Sequence, residues 1–318
     1  VSMLKEIIDL IASFQTIIIH RHARPDLDAI GSQVGLKKLL EHHYPDKTIY
    51  AVGDINTMSF HAKMDEIDDA SYQDALVIIT DVAVAHMVSD DRYTLAKERI
   101  IIDHHDNNTT IENVTHYYKD TSFNSACEMI IDIAMRFNLD MPKEAATYLY
   151  GGMVTDSGRF LYLKEPERTF LLASYVSKFE PDIKALYDYL YTEPLRRKQI
   201  KNQFSSFDLT KENVAYRINS QALIQSTGED FQSISRGMVN LMAGIQEVKI
   251  WGSFSEDANG KYIAELRSRD IPIVDVAKKY GGGGHLHACG ATLETIEDVH
   301  KLLDDLDEKV RINEKSIK

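Results

Sequence analysis

Several features that would settle this chain's class are missing from it. Among 318 residues there are only two cysteines, Cys127 and Cys289. Two thiols cannot build a disulfide framework, and sparse cysteine suits a reducing compartment. No run of about 18 apolar residues occurs, so no transmembrane helix is expected. The first residues are amphipathic and acidic, without the basic start and long apolar core of a signal peptide. These absences together predict a cytoplasmic protein. Positive charge is also short: 36 Lys and Arg stand against 49 Asp and Glu, a formal net charge of −13. That argues against a general coat for long nucleic acid, which needs a basic face for its phosphate contacts. It leaves room for a small phosphorylated ligand and for a cluster of metal-binding carboxylates. No internal repeat stands out, and the 16 tyrosines are scattered, predicting no stacking platform.

What the chain does have is concentrated at the ends of short apolar runs. Ile100, Ile101 and Ile102 read as a buried strand, and Asp103, His104, His105 and Asp106 follow at once. Buried charges are costly without partners or a metal. Two other strands end in the same way. Residues 16–19 are β-branched and run through His20, Arg21 and His22 into Pro25, Asp26 and Asp28, where a helix is predicted from about residue 29 to 43. One acid there could cap that helix. His22, Asp26 and Asp28 together make three potential ligands, which capping does not need. Residues 75–80 form the clearest buried strand and end at Asp81. In a doubly wound sheet, ligands bind outside the carboxyl ends of the strands, and all three strands deliver acids or histidines to that edge. Asp156 falls at the end of a predicted helix, where the macrodipole disfavours an acid. A cation would compensate.

The remaining pattern divides the chain. Strands are expected at 47–52 and 113–118, with helices near 59–64, 125–137, 142–153, 169–178 and 182–191. Beyond residue 212 come a strand pair (214–218, 222–224), a helix (231–245), strands at 248–254 and 262–267, a short helix (274–280) and a final helix (296–310). We therefore expect an α/β protein: a doubly wound, mostly parallel N-terminal domain (1–191), a linker (192–212) and a smaller C-terminal α/β domain (213–318). The second domain carries its own signals. Arg267 and Arg269 follow a strand, and guanidinium groups grip phosphate bidentately. Gly281, Gly282, Gly283 and Gly284 precede His285 and His287. Glycines let backbone N–H groups approach an anion closely, and ordering four of them is entropically costly. A phosphate or nucleotide grip is expected.

Taken together, His22/Asp26/Asp28, Asp81, Asp103-His104-His105, Asp156 and the glycine–histidine segment resemble the DHH/DHHA1 phosphoesterase superfamily, over about residues 16–290. The compact length resembles its nano-RNase and 3′-phosphoadenosine-5′-phosphate (pAp) phosphatase group more than the longer RecJ branch. The resemblance implies an active site in the interdomain cleft and two divalent ions, usually manganese. His22, Asp26 and Asp81 would hold one ion; Asp28, Asp81, His104 and Asp156 would hold the other. Asp103 would orient a ligand histidine, and His105 would face the phosphate. Arg267, Arg269, Gly283, Gly284 and His285 would hold the rest of the nucleotide. The implied reaction cuts short oligoribonucleotides to mononucleotides and converts pAp to AMP. Alternatives are cleavage of cyclic dinucleotides or pApA, RecJ-like digestion of single strands, and a non-catalytic nucleotide sensor. A homodimer is plausible; membrane and long duplex nucleic acid are not expected partners. Val82 and Leu286 depart from the family pattern, which bears on substrate choice.

Overall fold

Short β-branched runs build the first sheet. In the computed structural model, which describes residues 2–317, these runs are β1 (Thr16–His20), β2 (Thr48–Ala51), β3 (Ala75–Thr80), β4 (Glu98–Asp103) and β5 (His116–Lys119). They lie in the order β2-β1-β3-β4-β5, all parallel. Parallel strands sheltered on both faces read as continuous apolar runs, and β3 is buried at every position. One face (Ile17, Ile19, Ile78, Ile100, Ile102) packs on α1 (Ser2–Ser13), α2 (Leu27–His43), α3 (Ala126–Arg136), α4 (Lys143–Asp156) and α5 (Pro166–Ser177). The other face (Ile18, Val77, Ile79, Ile101) is covered by Tyr72, Val88 and Tyr93 from loops and 3-10 turns. α6 (Ile183–Tyr191) places Leu186 against Leu27, Ile30 and Tyr148.

β1 has its successor β2 on one side and β3 on the other. The order reverses there, which opens a crevice at the carboxyl ends of the strands. α2 and α4 cross close beside it because small residues line the contact. A Cβ on Gly31 would lie 2.5 Å from Tyr148 O, and one on Gly152 would lie 2.7 Å from Asp28 Oδ1 and collide with Cys127 Sγ.

The chain divides into two compact units, Val1–Thr192 and Glu193–Lys318. The second contains α7 (Leu195–Gln203), β6 (Asp208–Leu209), β7 (Ala215–Asn219), α8 (Gln221–Ser226), α9 (Phe231–Ser235), β8 (Ile250–Glu256), β9 (Tyr262–Ser268), α10 (Val274–Lys279), β10 (Gly283–His285), β11 (Ala288–Leu293) and α11 (Ile296–Ile317). Its six-stranded sheet runs β10-β11-β9-β8-β7-β6, antiparallel except for the parallel pair β7–β8. Phe254, Leu266, Val299, Leu302 and Leu306 form its core.

Some local expectations give way to packing. Residues 59–64 are an irregular loop rather than a helix. Phe60 and His61 adopt left-handed backbone (φ 44° and 64°), and Tyr148 Oη donates to Phe60 O at 2.8 Å. The expected strand at 222–224 is the helix α8, capped by Ser220; so short an apolar run has no readable period. The helix expected over 231–245 stops at Ser235 and resumes only as a 3-10 turn, Val239–Met242. Residues 192–212 carry α7, and Ile200 and Phe204 pack with Ile224, Ile234 and Met238. Gly283 and Gly284 are part of an edge strand.

Candidate metal centre

The site begins in the loop after β1. His22 Nδ1 lies 2.9 Å from Ala23 O, so Nδ1 carries the proton and Nε2 is left as the ligand atom. That Nε2 is 3.8 Å from Asp26 Oδ1 and 3.4 Å from Asp81 Oδ2. Asp26 also caps α2, with Oδ1 accepting from Asp28 N (3.1 Å) and Ala29 N (3.0 Å). The loop is braced from behind by a group the sequence reading missed. Arg21, fully buried, donates to His22 O at 2.9 Å and to Asp54 Oδ1 at 2.8 Å. Asp54 also accepts from Ser89 Oγ and, at 2.9 Å, from the N–H of Arg24, whose φ is 52°. A signal was present: Val52-Gly53-Asp54 is a further strand end closing on an acid.

Asp81, the residue after β3, has φ 61° and donates its N–H to Ile102 O at 2.9 Å. This left-handed turn ties the end of β3 to β4. Asp81 Oδ1 lies 3.3 Å from His104 Nε2 and 3.6 Å from His105 Nδ1. His104 Nε2 is also 3.5 Å from Asp156 Oδ2 and 3.8 Å from Asp28 Oδ2. Asp28 is fully buried. Its carboxylate accepts the N–H groups of Ala126 (2.7 Å) and Cys127 (2.9 Å), at the start of α3, where a helix favours an anion. Asp156 is the last residue of α4. Three groups thus have donor atoms within 4.8 Å of one another: His22/Asp26/Asp81, Asp28/His104/Asp156 and Asp81/His104/His105.

The charges crowd each other. Burial raises Asp28 well above the usual carboxylate range, and Asp81 and Asp156 add to this. Burial, with Asp81 and Asp26, pushes Asp156 up to about 7. Burial works against a charged His22, yet Asp81 raises its imidazole to about 9. His105 is raised chiefly by its hydrogen bond to Asp103.

The donor set fits divalent metal. Asp81 Oδ1 and His104 Nε2 are buried with no hydrogen-bond partner among the described residues, a state buried polar atoms rarely keep. A cation would satisfy both atoms and offset the clustered carboxylates. Oxygen and imidazole donors without thiolate suit manganese-like ions rather than structural zinc.

The structure adds detail at two of the expected positions. Asp103 Oδ1 bonds His105, at Nδ1 (2.8 Å) and at its backbone N (3.3 Å). Its position two residues upstream on the strand end brings it to that ring. In the second unit, Arg269 Nη2 donates to Gln246 O at 2.9 Å, and further to Ile245 O and Val248 O. It braces a turn through that one nitrogen, and its Nε has no hydrogen-bond partner among the described residues. Arg267 bonds Leu266 O (2.8 Å) and Glu265 Oε2 (3.2 Å). Gly283, Gly284 and His285 pair with Gly290, Cys289 and Ala288. Gly284 is needed for close strand contact: it has φ 133°, and a Cβ there would lie 2.7 Å from Ala288 O. His285 is exposed at this edge.

Comparison with known proteins finds one family match within each unit. Residues 16–153 match the model of the DHH family, N-terminal domain, and residues 219–311 match that of the DHHA1 domain. The chain belongs to the DHH family, in the form that joins a DHH domain to a DHHA1 domain. It is 36% identical over 307 residues to a Streptococcus mutans protein named "Probable bifunctional oligoribonuclease and PAP phosphatase NrnA", covering 95% of this chain and 98% of that one. It is 32% identical over 314 residues to the Mycoplasma genitalium "Bifunctional oligoribonuclease and PAP phosphatase NrnA", covering 97% and 98%. An exopolyphosphatase-related protein of Bacteroides fragilis has a similar fold, with TM-score 0.76, 22% identity and coverage of 97% and 96%.

Proposed function

We propose that this chain is a two-metal phosphoesterase that hydrolyses short oligoribonucleotides to mononucleotides and pAp to AMP. The observation that carries this reading is the convergence of Asp28, Asp81, His104 and Asp156 around buried atoms with no partner. The end-to-end likeness to relatives named for those two activities supports it. His22, Asp26 and Asp81 would hold one ion and Asp28, Asp81, His104 and Asp156 the other, with manganese the expected metal. Bound there, divalent cations supply Lewis-acid polarisation of the phosphoryl group and activation of water.

The chain's own groups do the rest. His105 is 46% exposed and held through Nδ1 by Asp103. Its Nε2 edge is left for a phosphoryl or leaving oxygen, the placement a general acid needs. In the proposed step one P–O bond forms to the oxygen of water, which gives up a proton to solvent, and one breaks to the departing ribose oxygen, which takes a proton from His105. Asp81 and Asp28 keep the ligand side chains in register because their own backbone is locked, Asp81 by its turn and Asp28 in the first turn of α2. Arg267, Arg269, Gly283, Gly284 and His285 are the proposed contacts of the second unit with the nucleotide.

The test is manganese-dependent turnover on pAp, pApA, a short RNA, a long single strand, pyrophosphate and cyclic di-AMP. Mononucleotide from pApA and short RNA, with phosphate from pAp, is the expected result. Preference for the long strand, or cleavage of cyclic di-AMP as fast as pApA, would overturn the substrate reading.

A further inference from the structure

The turn after Asp156 carries three consecutive left-handed residues: Gly158 (φ 58°), Arg159 (62°) and Phe160 (63°). Arg159 and Phe160 lack glycine's freedom there, and such strain persists only where the surroundings over-determine it. Here they do. Arg159 N donates to Val154 O at 2.7 Å, Phe160 N to Ser157 Oγ at 3.0 Å and Tyr162 N to Ser157 O at 3.0 Å. Phe160 turns inward onto the first core, 5.7 Å from the ring of Phe170. The outward residues are left uncovered: Leu161 is 67% and Tyr162 76% exposed. The Tyr162 ring lies against Gly158, whose Cβ would stand 2.7 Å from Tyr162 Cδ2. Arg159 makes no ion pair among the described residues; its guanidinium stands 5.9 Å from the Tyr191 ring.

We infer that Tyr162 and Arg159 form a stacking platform for a nucleobase of the substrate. The inference rests on the proposed phosphoesterase activity and deepens it. Gly158, under the Tyr162 ring, is two residues from the candidate ligand Asp156, at most about 7 Å along the backbone. A base one ribose away from the scissile phosphate falls within reach of that ring. Exposed phenol and guanidinium planes are the groups on which unpaired bases stack, whatever their identity. A rigid, strained turn presents them without further ordering. The platform therefore predicts tolerance of base identity and intolerance of a missing base.

The experiment compares pApA with two analogues, each lacking one of its bases, under manganese. Tyr162→Ala should raise KM for pApA about tenfold with a smaller change in kcat, and Tyr162→Phe and Tyr162→Trp should restore it. One abasic analogue should show the same rise with the wild type, and on it Tyr162→Ala should add less than twofold. Arg159→Ala should raise KM for pApA several-fold. Equal Tyr162→Ala losses on pApA and both analogues, or an unchanged KM for pApA, would overturn the platform while leaving the activity in place. So would an unchanged KM accompanied by dissociation of a dimer, which would assign the face to self-association. Absence of wild-type turnover on pApA would overturn the functional reading and the platform with it.

Discussion

Asp81 combines two costs in one residue, a left-handed backbone (φ 61°) and a buried carboxylate beside Asp28 and Asp156. Neither is needed to end a strand. Asn tolerates the left-handed region as well as Asp does, so Asp81→Asn isolates the charge. In metal-free protein the variant should melt lower than the wild type, because, despite burial, His104, His22 and His105 hold the Asp81 carboxyl below its usual range and that pairing is lost. It should also lose the rise in Tm on adding manganese, and its turnover should fall on the order of 10³-fold, as expected when several kcal/mol of charge stabilisation are removed. Differential scanning fluorimetry with and without Mn²⁺, alongside kcat, checks all three. Asp54 acts one step back. It holds Arg21 and the strained Arg24 behind His22. Asp54→Asn should lower manganese affinity about 10–100-fold, the usual cost of losing a group that orients a ligand, with a smaller loss of kcat at saturating metal. Titration calorimetry separates the two.

At the scale of elements, the site depends on how closely α2 meets α4. Asp28 lies in the first turn of α2 and Asp156 at the last residue of α4. Gly31 and Gly152 permit the approach that brings both to His104. Gly152→Ala would drive a methyl group into Cys127 Sγ and to within 2.7 Å of Asp28 Oδ1. It should destabilise the first unit by about 1–3 kcal/mol, the range for overpacking a filled interior, read by chemical denaturation. Adding Cys127→Ala should recover part of that loss and leave the clash with Asp28. The two changes would therefore be non-additive, as expected for residues in contact.

In the whole molecule, each unit has buried apolar clusters of its own. Among the described residues, no helix is long and apolar enough to cross a membrane. All the candidate metal ligands lie in the first unit, whose buried clusters take no residue beyond Leu190. Residues 1–192 expressed alone should therefore fold and keep a manganese-induced rise in Tm. They should show a raised KM for pApA, since the proposed nucleotide contacts Arg267 and His285 are missing. Chelation of the intact protein should lower Tm reversibly. Metal at a hundred times its Kd should add about 2.7 kcal/mol of stability. An unchanged Tm on both chelation and addition would argue that these residues hold no ion.

The strand ends were legible from residues alone. Ile100–Ile102, the run before His20 and the run before Asp81 are buried on both faces, so their apolar character is unbroken and their polar exits stand out. That local contrast named Asp28, Asp81 and His104, the macrodipole argument added Asp156 at a helix end, and the order of motifs placed the chain in its family. Residues 59–64 and 222–224 were misread because so few apolar residues carry no period; tyrosines from α4 and α6 fix the first segment, and the cap at Ser220 begins a helix at the second. In the run Gly281–Gly284, only the pairing of Gly283 and Gly284 with β11 shows where backbone approaches backbone, at Gly284. Asp103, Asp54, Arg269 and the exposed ring of Tyr162 could not be assigned from the sequence, because what each does depends on partners brought to it from elsewhere in the fold. Local chemistry and periodicity determined which residues are candidates for the site; long-range packing decided which atoms meet there and which side chains hold them.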